Sequence, residues 1–287
     1  SAGAVVINTI SDTNANPDLK PELISEFEVG FDSKFLDNRV SLNLSYFNRQ
    51  TKDLIVNNKP LPASTGFTQT QVNIGKVEGD GWEIDLGIDL FKNDGNGFNW
   101  NSRVNFTKSE QIVTEQEDDQ IVYAGFSNQG NAAIKGEQLG VMIGSRIERD
   151  ADGNYLVDTA GNYVIGTQMA IDDSGNEVPI GTPGSRTINP IVGNPNPDYV
   201  MNIINSISYR NFNLGFQFSH TKGGDIHSAT VSTMLGRGLI VEDRKNTFIL
   251  PGVSQATGQP NVLQINNSSY YFNNILFGPA ELNVYDA

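Results

Sequence analysis

Residues 26 to 46 read Glu26-Phe27-Glu28-Val29-Gly30-Phe31-Asp32-Ser33-Lys34-Phe35, then Leu36-Asp37-Asn38, then Arg39-Val40-Ser41-Leu42-Asn43-Leu44-Ser45-Tyr46. Phe27, Val29, Phe31 and Phe35 alternate with Glu26, Glu28, Gly30, Asp32 and Lys34; Val40, Leu42, Leu44 and Tyr46 alternate with Arg39, Ser41, Asn43 and Ser45. Successive side chains of a strand point to opposite faces, so each segment acquires one apolar and one polar face. The turn at Asp37-Asn38 is short enough to join them as an antiparallel hairpin.

The same device recurs along the chain. Trp82, Ile84, Leu86, Ile88 and Leu90 alternate with Glu83, Asp85, Gly87 and Asp89 before the turn Asn93-Asp94-Gly95-Asn96-Gly97, after which Phe98, Trp100, Val104 and Phe106 alternate with Asn99, Asn101, Arg103, Asn105 and Thr107. A third pair carries Tyr199, Met201, Ile203, Ile207 and Tyr209, turns at Arg210-Asn211, and returns through Phe212, Leu214, Phe216 and Phe218. Weaker strand signals lie at Ala4 to Ile10 and Val262 to Asn266. Between pairs the connections are long, from Gln50 to about Gln71, from Lys108 to about Pro197, and from His220 onward, and they are rich in Gly, Asn, Asp, Pro and Ser.

Short turns at one end and long connections at the other are how outer-membrane β-barrels are built. The fold class expected is therefore all-β, an antiparallel transmembrane barrel portion with long extracellular loops. Tyr46, Phe47, Trp82, Phe98, Trp100, Tyr199, Tyr209 and Phe212 sit near strand ends, where aromatic girdles would meet the bilayer interface. Alternation alone also fits a secreted soluble β-sandwich used for binding or adhesion, whose apolar faces would pack two sheets together. Six clear strands are too few to close a barrel, and open edges are not tolerated in lipid, so the chain reads as part of a longer polypeptide.

Composition removes other classes. The 287 residues carry 19 basic and 33 acidic side chains, a formal charge of −14, so nucleic acid is not expected as a partner. With no cysteine and two histidines, thiolate metal sites, disulfides, cysteine nucleophiles and multi-histidine centres have no residues to build them. No apolar run approaches the roughly 20 residues of a helical span, which leaves strands as the only way across a bilayer.

Single features point to little chemistry. Asp150-Ala151-Asp152-Gly153-Asn154 resembles the opening of a calcium loop, with Asp150, Asp152 and Asn154 as candidate ligands, but Gly161 stands where the bidentate glutamate belongs. The alternative is a β-turn, repeated at Thr159-Ala160-Gly161-Asn162 and at Asp172-Asp173-Ser174-Gly175-Asn176 as small hairpins. Glu26, Glu28 and Asp32 with Glu83, Asp85 and Asp89 supply the residue type of a glycosidase acid pair, yet alternate along strands as solvated positions do. His220 and His227, seven apart around Gly223-Gly224, match no metal spacing. There is no Gly-x-Ser-x-Gly elbow and no phosphate-binding glycine loop, so neither an enzyme nor a cofactor is expected. The one basic cluster runs from Arg237 through Arg244 and Lys245. Arg237 and Arg244, with the loop aromatics Tyr123, Phe126, Tyr270 and Tyr271, are the candidates for contact with a substrate or a covering partner.

At the level of motifs the chain resembles the SusC/RagA-like TonB-dependent transporters of Bacteroidetes outer membranes. The resemblance is carried in order by Asn16-Pro17-Asp18-Leu19-Lys20-Pro21-Glu22, Tyr46-Phe47-Asn48-Arg49-Gln50-Thr51-Lys52-Asp53-Leu54-Ile55, Asn73-Ile74-Gly75-Lys76-Val77, Gly79-Asp80-Gly81-Trp82-Glu83, Asn194-Pro195-Asn196-Pro197-Asp198-Tyr199 and Val284-Tyr285-Asp286-Ala287. It implies that residues 1 to 287 are part of one 22-stranded barrel domain, with the plug lying before Ser1 and the final strands after Ala287. It further implies import of oligosaccharide or peptide fragments, energy from TonB through the missing plug, a SusD-like surface lipoprotein as lid, and outer-membrane lipid around the apolar face.

Overall fold

The computed structural model describes residues 11–92, 97–126, 129–240 and 243–286. Six long strands dominate it: β1 (Leu23–Phe35), β2 (Val40–Lys52), β3 (Lys76–Phe91), β4 (Phe98–Glu115), β5 (Pro197–Tyr209) and β6 (Phe212–Gly223). They form one antiparallel sheet in chain order, each strand hydrogen-bonded to the next. The three expected hairpins are all present, and the strands run past the alternating segments at the end away from the turns. The strand signal at Ala4 to Ile10 and most of the turn after β3 lie outside the described residues.

The turns are made tight by left-handed backbone. Leu36, Asp37 and Asn38 have φ of 53°, 52° and 63° between β1 and β2, where the Arg39 N–H donates to the Leu36 carbonyl at 3.0 Å. Arg210 does the same between β5 and β6 with φ 53°. Because the turns fix the register, residues directly opposite share a face. One such row reads Ser33, Leu42, Leu86, Val104, Ile203, Phe218 and the row beside it Phe31, Leu44, Ile84, Phe106, Met201, His220, which makes the apolar face continuous across all six strands.

No second sheet covers that face among the described residues. Phe27 and Phe218 are about two-thirds exposed and Phe31 just over half. A soluble sandwich would bury these side chains; here the Phe218 ring packs on its neighbour Phe216 on the same strand, and no opposing layer covers them among the described residues. The polar interruption Ser102–Asn205 in this face is satisfied internally, since the Trp100 indole N–H donates to Asn205 Oδ1 at 3.0 Å and Asn205 is buried.

Aromatic rows bound the apolar band at both ends. Towards the turns Phe91 packs on Phe98 and Trp100; at the other end Tyr46 packs on Trp82 with ring centres 4.8 Å apart, and Phe106 on Tyr199 at 5.3 Å. Nine residue steps separate Trp82 from Phe91. At about 3.4 Å per residue and a tilt of about 45°, the rows stand about 22 Å apart along the membrane normal, the height of a lipid-facing band.

Beyond the Tyr46–Trp82 row the faces exchange polarity. The formerly apolar face now carries Asn48, Gln50, Lys76, Glu78, Asp80 and Glu110, with Lys76 paired to Glu78 at 2.5 Å and Gln50 donating to Glu78 at 2.8 Å. The formerly polar face carries Thr51, Val77 and Val113 in one row, all buried. These three lie against the connecting segments, which fold into an outer layer rather than run as loops.

That layer corrects the expectation of open loops. Strands Ile55–Pro60 and Gln69–Asn73 fill the first connection, and Ile121–Phe126, Gln129–Ala133, Val141–Ile143 and Ile191–Gly193 make a four-stranded sheet in the second. The third holds a helix, α1 (Ala229–Arg237), capped by Ser228 Oγ, and the strand Gln264–Asn266, which recovers the weak signal near Val262. Among the described residues the three buried apolar clusters lie here: around Ile134, Ile143 and Ile171; around Val56, Ile74 and Val113; and around Val157, Leu250 and Ile265. The segments read as loops because their strands are too short for alternation to register between turn residues.

Three copies of one turn order this layer. Asp150, Asp158 and Asp172 each accept at Oδ1 the backbone N–H groups two and four residues on, at 2.8–2.9 Å, with Gly153, Gly161 and Gly175 at φ 83°, 85° and 85°. These are the expected small hairpins.

Two predictions follow from the packing. Leu86→Arg and Leu42→Arg put a cation at mid-band and should each cost about 2–4 kcal/mol in urea unfolding from lipid vesicles, while Thr107→Arg on the polar face should cost little. Equal yields of folded protein for all three variants in outer-membrane fractions would contradict the assignment of faces. A Cβ at Gly153 meets nothing within 4 Å, whereas one at Gly161 would stand 2.8 Å from Ile265 Cγ2 and 3.3 Å from Leu263 Cβ. Gly153→Ala should therefore cost about 1 kcal/mol from its φ alone, and Gly161→Ala about 2–3 kcal/mol because overpacking is added, measured by thermal unfolding.

Candidate functional site

The residues with chemistry to offer converge on the polar face of the sheet, because the register that aligns the leucines on one side aligns carboxylates, amides and guanidinium groups on the other. Asp32, Asn43, Asp85, Asn105, Asn202 and Ser219 form one row across all six strands. The Asn43 amide donates to Asp32 at 2.7 Å and the Asn105 amide to Asp85 at 2.6 Å. Arg103 binds the same Asp85 through Nε and Nη2, at 2.8 and 2.5 Å, a forked geometry that only a guanidinium supplies. Asn101 donates to Asp89 at 2.8 Å, and on β5 and β6 both Gln217 and Ser219 donate to Asn202, at 3.1 and 2.7 Å. Nearer the outer layer Arg49 pairs with Glu26 at 2.5 Å.

Depressions on this face include the following two. A groove of about 720 Å³ is lined by Asp32, Asn43, Glu83, Asp85, Arg103 and Asn105 among others. A smaller one of about 260 Å³ lies towards the outer layer, lined by Glu26, Glu28, Phe47, Arg49, Gln111 and, shared with the groove, Glu83. What such a surface does chemically is exchange hydrogen bonds with water or with a hydroxyl- or amide-rich solute along a track.

The six carboxylates weighed as an acid pair are all here. Glu26, Asp32, Asp85 and Asp89 are occupied by the partners named above, and none of the six is buried. A general acid needs a dry site to hold its proton at neutral pH, and this face provides none to them.

The outer-layer candidates are dispersed. Tyr123 packs half-buried against the cluster around Val56, and Tyr270 packs on Phe248 in the cluster around Leu250; burial pushes both phenols up, and neighbouring Tyr163 is pushed up to about 12. Arg244 donates through Nη2 to the Leu235 carbonyl at 3.0 Å and so closes the C-terminal end of α1. Arg237 is exposed in the last turn of α1, and Tyr271 is half-buried beside Tyr270. Phe126 ends its strand, and its side chain lies outside the described residues. The Asp150 carboxylate is already engaged by the Asp152 and Asn154 backbone and by the Asn154 amide, as in an Asx turn; no group of three or more His, Cys, Asp or Glu residues with metal-binding geometry occurs among the described residues. His220 lies on the apolar face by Tyr199, while His227, in the outer layer, stands 2.8 Å from Gln129 and is held below its ordinary pKa by burial.

Reading residues one strand at a time missed the partners. Arg103, Asn105 and Asn202 carry no motif of their own, and Arg49 is legible only as part of a longer motif; the signal for their pairing is the cross-strand register.

Comparison with known proteins agrees with this architecture. The family model for the TonB dependent receptor-like β-barrel matches residues 3–221. TonB-dependent receptor P3 of Formosa agariphila is 29% identical over 226 residues, covering 76% of this chain and 22% of that protein. TonB-dependent receptor SusC of Bacteroides thetaiotaomicron is 26% identical over 216 residues, covering 70% of this chain and 19% of that protein. The solved RagAB peptide transporter superposes with a TM-score of 0.53 at 19% identity, over 74% of this chain and 22% of that one, which is a likeness of fold. The chain spans about a fifth of the length of the curated relatives it matches. With its two-faced antiparallel sheet and this match over three-quarters of its length, the chain belongs to the TonB-dependent receptor β-barrel family, as a SusC/RagA-like member.

Proposed function

We propose that this chain forms part of the barrel wall and outer layer of a transporter that takes up oligomeric nutrients, glycan or peptide fragments, across the bacterial outer membrane. The observation that carries the reading is the pairing of an uncovered apolar face with a laddered polar face in one sheet. A wall between lipid and a wet conduit needs that pairing, and a wall within a soluble core does not. In this reading the apolar face meets outer-membrane lipid, the polar face lines the conduit, and the outer layer is extracellular.

Two partners belong to the proposal. Energy would come from TonB through the plug of the family, and a SusD-like surface lipoprotein would cover the outer layer. Arg237, exposed in the last turn of α1, and the half-buried Tyr271 are the candidate side chains to meet substrate or lid, since Arg244, Tyr123 and Tyr270 are engaged within the layer. No reaction on the substrate is assigned to any residue.

Mass spectrometry of the native polypeptide containing these peptides, from outer-membrane and soluble fractions in parallel, tests this. The expected result is a membrane species much heavier than 31.3 kDa that co-purifies with a lipoprotein and whose deletion abolishes growth on an oligomeric nutrient. A soluble species near 31.3 kDa without a companion would overturn it.

A further inference from the structure

The aromatic row that closes the apolar band towards the outer layer is interrupted by cations. Register sets Val29, Tyr46, Trp82 and Lys108 opposite one another, and Tyr199 opposite Lys222 on the last two strands. Lys108 follows Thr107, whose partner on β5 is Val200, so the same register continued by one residue brings Lys108 beside Tyr199. Across β4, β5 and β6 the row therefore reads Lys108, Tyr199, Lys222, with the lysines two strand spacings, about 10 Å, apart. The Tyr199 ring shows which way the row faces: it packs on Phe106 at 5.3 Å and on His220 at 5.7 Å, both members of the apolar face. Both lysines are exposed, and neither makes an ion pair or side-chain hydrogen bond among the described residues.

Between the two aromatic rows this face carries no Lys, Arg, Asp or Glu side chain. The first charged groups met on leaving the band are thus two cations, in a chain whose formal charge is −14. Carboxylates begin one row further out, with Asp80 opposite Glu110. A lysine at the edge of hydrocarbon lays its stem on apolar surface and holds its ammonium at the level of the lipid headgroups. Water would solvate either sign of charge there, so the choice of sign reports the charge of what lies opposite.

We propose that Lys108, Tyr199 and Lys222 bind a phosphate-bearing headgroup of an outer-leaflet glycolipid of the lipid A kind. The two ammonium groups flank the phosphate, the Tyr199 hydroxyl donates between them, and the acyl chains lie on Met201, Ile203 and Phe218 in the rows beneath. Asp80 and Glu110 repel a phosphate above β3 and so confine it to the Tyr199 side. The row is continuous with the lipid-facing band, so a lipid rather than a soluble anion is what meets it.

This inference rests on the membrane reading of the sheet and on the extracellular position of the outer layer. Native mass spectrometry tests it on the full-length receptor in mild detergent, supplied with lipid A, with enzymatically dephosphorylated lipid A, or with phosphatidylglycerol. Phosphorylated lipid A should be retained over the other two. Lys108→Gln with Lys222→Gln should weaken its retention about tenfold or more, at about fivefold per lysine, and Lys108→Arg with Lys222→Arg should keep it. Lys59→Gln with Lys135→Gln removes the same charge from lysines paired with Asp118 and Asp173 in the outer layer and should change nothing. All four lysines lie outside the buried clusters, so every variant should keep the heat-modifiable gel mobility of a folded barrel. Equal retention of lipid A with and without phosphates, or equal retention by wild type and the Lys108→Gln, Lys222→Gln pair, would overturn the site. Preference for phosphatidylglycerol would overturn the outer-leaflet partner. A receptor that inserts and imports normally but shows no phosphate preference would refute this site alone, whereas recovery of the polypeptide only from soluble fractions would refute the membrane wall on which it stands.

Discussion

An extended sheet in which one whole face is apolar and unpartnered cannot stand in water, and everything else in this chain is arranged around that constraint. The face runs across six strands from Phe27 and Phe31 to Phe216 and Phe218, broken by Ser102 and Asn205. Contiguous apolar surface of that extent far exceeds what monomeric soluble proteins expose. Hydrocarbon removes the penalty and introduces another, because every backbone group must then be paired. The interior strands meet this by pairing on both sides, while the outward edges of β1 and β6 call for further strands of the same kind. The polar atoms that do fall on this face obey the same rule, as the Trp100 to Asn205 bond shows.

Where the hydrocarbon ends, the sign of the hydrophobic effect on each face reverses, and the sequence reverses with it. Within the band apolar residues point outward, and the polar face needs only to be wetted. Past Trp82 the same strand directs Asp80, Glu78 and Lys76 outward and Val77 inward, against Val113 and Thr51. Burial away from water becomes favourable there, so among the described residues the three buried apolar clusters form in the outer layer and none forms on the sheet between the aromatic rows. The strands are thus continuous through two solvents, and the outer layer is held by the strand extensions that reach into it.

This division explains which parts of the sequence could be read directly. Alternation over eight or more residues is unambiguous, so the hairpins at Asp37-Asn38 and Arg210-Asn211 and the identity of both faces were legible from Phe27, Leu42, Leu86 and Phe218 alone. The outer layer was not legible, because strands such as Val141–Ile143 and Met169–Ile171 are three residues long and pack by tertiary contact rather than by a period. The candidate site was legible in residue type and not in pairing. Asp85 could be seen on the polar face, but that Arg103 and Asn105 would converge on it depends on the register between β3 and β4. Arg244 and Tyr270 illustrate the opposite limit: a basic or aromatic residue in a polar stretch looks available until the helix end or cluster that uses it is known.

The polar face derives its usefulness from being incompletely satisfied. A fully buried network such as an enzyme's would be rigid and dry, and breaking it would cost several kcal/mol per charge. On this face the pairs are solvated, so each exchange of water or partner for a solute group is nearly neutral, on the order of 0–1 kcal/mol for an exposed ion pair. Glu83, Asp85 and Asn105 line one groove, so a hydroxyl- or amide-rich solute lying in it would exchange partners among them without a deep minimum to hold it.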